Sequence, residues 1–168
     1  MKKFLLLLMF CCGCLFASPG SILGNIVKVV ESGSSVEQVE NTLKKYINVK
    51  SIASEVAGRS VWRSASQVEK NNFIDRFSQE LLEYYASTIK NLSRYKYSLI
   101  ARPSSARQIL RVINPNGSTT DFVVFFQNSN GAWLIIDSSF NGVSVVAQWR
   151  AKLKHKITQN GLSGAFDG

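Results

Sequence analysis

The sequence predicts an α+β fold, with N-terminal helices packed on a C-terminal antiparallel sheet and a closing helix. Three observations carry that prediction. Residues 34–92 keep apolar side chains at helical spacing. From Tyr95 to Phe140, four apolar runs are separated by turn signals. After Asn141-Gly142, a helical pattern returns in VSVVAQWRAKLKHKIT.

A chain of 168 residues suits one domain with a real core and leaves little for a second. No repeat, low-complexity tract or long linker divides it. The first stretch, MKKFLLLLMFCCGCLFA, is expected to stand apart. Two lysines lead an apolar run too short to span a bilayer comfortably, and Ala17 offers a small residue for cleavage. Residues 1–17 are therefore expected to be a secretory signal peptide, with a single domain over 18–168 and export to the periplasm. Cys11, Cys12 and Cys14 all fall in the signal, so the mature domain would hold neither disulfide nor thiol nucleophile. Lipid anchoring at Cys14 is the alternative, although Cys11 stands where such sites usually carry an aliphatic residue.

The elements follow in order. SVEQVENTLKKYIN places Val36, Val39, Leu43, Tyr46 and Ile47 on one helical face, with Ser34 or Ser35 as N-cap. A short helix, VKSIASEVA, stops at Gly58. The longest helix runs through SQVEKNNFIDRFSQELLEYYASTIKNL. Ser66 and Glu69 have capping-box spacing, and Phe73, Phe77, Leu81, Tyr84, Tyr85, Thr88 and Leu92 form its stripe. YKYSLIARP, RQILRVINP, TTDFVVFFQNS and AWLIIDSSF read as strands. Their turns are Pro103-Ser104, Asn114 to Gly117 and Asn128 to Gly131, which predicts a meander. In DFVVFF and WLII the apolar residues do not alternate with polar ones. Both faces of the sheet are greasy: helices could cover one while the other lines something apolar, or helices could cover both.

Charge is uneven. Ser18 to Glu83 carries eight basic and eight acidic residues, whereas Tyr84 to Lys156 carries ten basic and two acidic. In an exported protein such a basic half suits an anionic membrane surface or an acidic partner better than nucleic acid.

Catalytic chemistry has little to work with. The single histidine, His155, sits between Lys154 and Lys156 and has no carboxylate near it in sequence. No serine lies in an elbow-like glycine pattern, SPGSILGN follows no strand and lacks the phosphate-loop lysine, and clustered metal ligands are lacking. Asp137 is the notable acid, because WLIIDSSF is strongly apolar. Its carboxylate must be paired, hydrogen-bonded or turned to solvent, or its pKa must rise. Arg150 is the expected partner if the last helix folds back on that strand. A cavity enzyme using Asp137 with a buried tyrosine (Tyr84, Tyr85, Tyr95 or Tyr97) is one alternative. A basic interaction module without a cavity is another.

Two stretches carry a resemblance. Ala57 to Phe77, with Gly58, Trp62, Arg63, Ser66, Phe73 and Phe77 at matching places, resembles a signature of the MlaC family of periplasmic phospholipid-binding proteins. Trp133 to Arg150 resembles its second half through Trp133, Ile135, Asp137, Gly142, Val143, Ser144, Trp149 and Arg150. Ala57 replaces a usual leucine, Trp149 a usual tyrosine and Leu153 a frequent phenylalanine.

The resemblance implies a cone like that of nuclear transport factor 2, holding acyl chains in an apolar cavity. It implies a non-enzymatic, monomeric carrier with no metal or cofactor and no nucleic acid, whose cargo is phospholipid. The implied partners are an outer-membrane lipoprotein complex and an inner-membrane ABC transporter with a lipid-binding ring. The implied role is outer-membrane lipid asymmetry. The candidate cavity residues are Phe73, Phe77, Leu81 and Tyr85 on the long helix, Leu99, Val123, Phe125, Leu134 and Ile136 on strands, and Val143 and Val146 beyond. Asp137, Gly142 and Arg150 are expected to form a turn and a polar clasp joining the last strand to the last helix. Lys96, Arg102, Arg107 and Arg111 are candidates for lipid phosphate or for acidic partner surfaces, and Lys152, Lys154 and Lys156 for a solvated face that helps docking.

Overall fold

The computed structural model describes residues 17–92, 94–100 and 105–167. The expected signal segment up to residue 16, Cys14, Arg102 and the Pro103-Ser104 turn lie outside the described residues. The order is α1 (Pro19–Glu31), α2 (Val36–Lys44), α3 (Val49–Ala57), α4 (Arg59–Ser64), α5 (Gln67–Leu92), β1 (Lys96–Ile100), β2 (Arg107–Ile113), β3 (Thr119–Ser129), β4 (Ala132–Phe140), β5 (Val143–Ser144) and α6 (Val145–Asn160). This is the α+β arrangement with a closing helix that the pattern predicts.

Local chemistry explains where the helices begin and end. Ser35 caps α2 through the Gln38 amide at 3.2 Å, and Gln38 accepts from the Ser35 amide at 2.9 Å. Ser66 and Glu69 do the same before α5, at 3.2 and 2.8 Å. Each such cap is worth about 1 kcal/mol. Gly58 ends α3 with φ +82°, a conformation that disfavours any side chain.

Three elements differ from the sequence reading, which has no helix between Gly58 and Ser66, where α4 stands, and names its first helix at Val36. α1 precedes it, burying Ile22, Leu23 and Ile26, with Pro19 in its first turn. Val143 and Ser144 form a short strand before α6 instead of its first turn.

The sheet is an antiparallel meander in the order β1-β2-β3-β4-β5. One face meets the helices: Leu99, Leu110, Phe122 and Phe140 lie opposite one another in turn, and Gln108, Val124 and Ser138 form the next row. The other face carries Arg111 opposite Asp121, joined by two hydrogen bonds of 2.7 and 3.0 Å. Each of that pair holds the other in its charged form, raising the guanidinium and lowering the carboxyl pKa, chiefly through these bonds.

A β-bulge shifts the register between Phe125 and Phe126. Phe125 faces Asp137 and Phe126 faces Ile135, so Ile136 is the extra residue. Ile135 also bridges to the α2–α3 connection, donating to the Tyr46 carbonyl at 2.6 Å and accepting from the Asn48 amide at 2.9 Å. These bonds cover part of the edge of β4.

Candidate functional site

Between the helices and the sheet lies an apolar cavity. α1 contributes Leu23 and Ile26, α2 Leu43, and the α2–α3 connection Ile47. Tyr85 and Ile89 come from α5, and Phe122, Val124, Ile135 and Ser138 from the sheet. Its free volume is about 20 Å³, room for roughly one water-sized sphere and far below the ~300 Å³ of an ordinary ligand pocket. The walls are thus nearly in contact.

The side-chain polar atoms in this lining bond to each other. Ser138 Oγ donates to Tyr85 Oη at 3.2 Å, so α5 and β4 are joined across the cavity. Burial pushes the Tyr85 phenol well above the ordinary tyrosine range, and it stays neutral in the physiological range. The site offers apolar contact and two neutral hydroxyls. Among the described residues no group of three His, Cys, Asp or Glu could hold a metal, and His155 is exposed on α6.

The sequence candidates scatter around this centre. Tyr85 lines the cavity. Phe73, Phe77 and Leu81 are fully buried but do not line it. Phe73 stacks on Phe77 at 5.8 Å and meets Phe166 at 5.4 Å, and Phe77 meets Trp149 edge-on at 5.4 Å. Leu99 is half-buried on the helix-facing side, with its Cδ2 close to Gly24. Val123 and Phe125 lie on the opposite face, and Leu134 and the bulged Ile136 do not line the cavity. On the strands this cavity is lined instead by Phe122, Val124, Ile135 and Ser138. Doubly apolar strands carry no parity signal, and the bulge at Ile136 resets the alternation within β4. Val143 is exposed and Val146 half-buried, both outside the lining.

The expected clasp is corrected as well. Asp137 is held by the start of α6, not by Arg150. Its Oδ1 accepts from the Ser138 and Val146 amides at 2.8 and 3.1 Å, and its Oδ2 from Ser144 Oγ at 2.6 Å. A carboxylate there also complements the positive end of the helix. Arg150 is exposed and reaches toward Gly58, where a Cβ would stand 3.5 Å from its Nη2. The physical reason is position: Val146, the second residue of α6, presents its backbone amide to Asp137, whereas Arg150 lies a further turn along the helix. Gly142 completes the β4–β5 turn at φ +77°.

The basic candidates lie away from the lining. Lys96 and Arg107 are exposed, and Arg111 is engaged by Asp121. Lys152 lies 4.1 Å over the Trp149 ring and 3.7 Å from Glu80. Lys154 is exposed, and Lys156 donates to the Asp167 carbonyl at 2.8 Å.

Residues missed by sequence reasoning come chiefly from α1 and the alternate strand positions. Ile22, Leu23 and Ile26 at helical spacing could have announced α1. Ser138, a hydroxyl in an apolar strand, could have been matched to a tyrosine.

The family model described as MlaC protein matches residues 29–168. Among solved structures, the fold is similar to that of a phospholipid-binding protein from Ralstonia solanacearum, in complex with a phospholipid. The two share 16% identity over 89% of this chain and 91% of that one, with a TM-score of 0.69. No curated protein matches the sequence.

Proposed function

Because the chain belongs to the MlaC family, we propose that it is a phospholipid carrier that takes acyl chains between α5 and the sheet. The observation that supports this most is the cavity itself, an apolar lining whose side-chain hydroxyls satisfy each other. The similar Ralstonia protein, with its bound phospholipid, agrees with the reading.

The physics is a competition between cargo and closure. Each buried methylene gains roughly 0.8 kcal/mol relative to water, so acyl chains supply ample driving force. A cavity left open after release would lose packing, and walls that collapse to about 20 Å³ avoid that loss. Closing therefore favours release, and the site alternates between a filled and a collapsed state. We read the protein as a carrier and not an enzyme. Asp137, the residue on which the enzyme alternative turned, already has three donors, the Ser138 amide in β4 and two groups at the start of α6.

The proposal extends to a periplasmic protein that exchanges phospholipid with an outer-membrane lipoprotein complex and an inner-membrane ABC transporter, in support of outer-membrane lipid asymmetry. The test is mass spectrometry of the purified protein, native and then solvent-extracted. Stoichiometric phospholipid that survives washing is the expected result. Protein that stays empty after exposure to phospholipid vesicles overturns the carrier reading.

A further inference from the structure

The sheet register joins the cavity to one point on the surface. Phe122 lines the cavity and faces Phe140 across β3 and β4, and Phe140 faces Val143 across β4 and β5. Directly opposed residues project from the same side of a sheet, so the three stand in one row. Burial falls in steps along it: Phe122 is 4% exposed, Phe140 37% and Val143 52%. The Asn141-Gly142 turn, with φ of +51° and +77°, holds the last pair at a tight hairpin tip.

An isolated apolar side chain at the surface needs no explanation, but a row leading out of an apolar cavity does. Tyr84 adds an amphipathic ring nearby, in an open groove with Val145 and Trp149. The charge of this half of the chain favours one occupant. From Tyr84 to Lys156, ten basic residues accompany two carboxylates. Both carboxylates are engaged, Asp121 by Arg111 and Asp137 by the start of α6. The excess belongs to this half of the chain as a whole, since Glu80 and Glu83 line the groove beside Tyr84 and Trp149; with a formal net charge of +9, the chain is attracted to an anionic bilayer.

We propose that Phe140 and Val143 form the ridge by which this protein touches an anionic phospholipid bilayer, and that acyl chains cross it to pass between β4 and α5. The passage of acyl chains rests on the carrier reading; the bilayer contact does not. The gap they enter is the one closed by the Tyr85–Ser138 hydrogen bond.

The test uses the full chain and vesicles of phosphatidylglycerol and phosphatidylcholine in equal parts. Two quantities are read: cosedimentation with the vesicles, and transfer of fluorescent phospholipid between them. For Phe140→Ser/Val143→Ser, vesicle affinity is expected to fall about tenfold or more, because membrane binding scales with the apolar area buried. Transfer should slow in step, with phospholipid extracted per protein unchanged. Val143→Glu, at the most exposed position, should give the same loss through charge repulsion without disturbing the core. Ile113→Ser, 39% exposed on the opposite face, should change neither quantity.

The ridge is overturned if Val143→Glu binds vesicles like the unmodified protein. It is equally overturned if Ile113→Ser loses as much, or if the unmodified protein ignores these vesicles. Vesicle binding that depends on the ridge, in a protein from which no phospholipid is ever extracted, would sink the carrier reading and leave the bilayer contact standing.

Discussion

The two halves of α5 face different neighbours. Its N-terminal half is locked among aromatic rings, with Phe73 and Phe77 stacked and bounded by Trp149, Phe166 and Trp62. Its C-terminal half covers the cavity with Tyr85 and Ile89, opposite the sheet. The first packing is helix on helix, in which rings interdigitate and little can move without loss. The second is mostly aliphatic and spans helix to sheet, fastened at one buried point by Tyr85 and Ser138. One helix can thus anchor the fold at one end and roof an adjustable site at the other. The lesson is that a long buried stripe does not mark a single binding surface.

The largest effect that would sharpen this contrast is expected from Phe77→Ala. Truncating this fully buried ring should destabilise the protein by about 3–5 kcal/mol, read from denaturant unfolding. Phospholipid bound per folded molecule should stay the same. A variant that folds well but loses its lipid would place Phe77 in the site and erase the distinction between the two halves.

Tyr85→Phe should act in the opposite sense. It leaves the Ser138 hydroxyl buried without its partner, and the empty protein should lose about 1 kcal/mol. Since the lost bond belongs to the closed cavity, cargo should be held about fivefold more tightly. The ratio of lipid off-rates measures this. Weaker binding would mean that the phenol contacts the lipid and does not restrain the wall.

The smallest effect concerns the start of α5. Hydrogen bonds from Ser66 hold the Glu69 carboxyl below its ordinary pKa. A lowered folded-state pKa gives a contribution that is present above the unfolded value and lost as pH falls through the folded one. Acid titration of Glu69→Gln should therefore show a slightly flatter loss of stability below the ordinary carboxylate range. Lipid binding should follow the unmodified protein through that range. A lipid-binding loss that tracks Glu69 protonation would show the two ends of α5 to be coupled.

Much of the fold was legible because its signals are local. The caps at Ser35 and Ser66, the stop at Gly58 and the turn at Asn141-Gly142 each depend on a few neighbouring residues. Helix α1 was harder to read, since Gly20 and Gly24 dilute its apolar spacing. Of the cavity, Tyr85 was legible from the helical stripe. The strand contribution was not, because Val123 and Val124 look alike in sequence and are both buried. Asp137 was recognised as a carboxylate needing donors, but Arg150 was the wrong donor. A backbone amide leaves no trace in the sequence.

By itself the sequence determined the helix-then-meander order, the basic C-terminal half and the poverty of catalytic groups. These follow from residue type and short-range spacing, which survive without knowledge of any distant contact. Only the tertiary structure decided which strand face meets the helices, what satisfies Asp137 and where an apolar row reaches the surface. A side chain's face depends on register and on a single inserted residue at Ile136, and both are set by pairing between segments far apart in the chain.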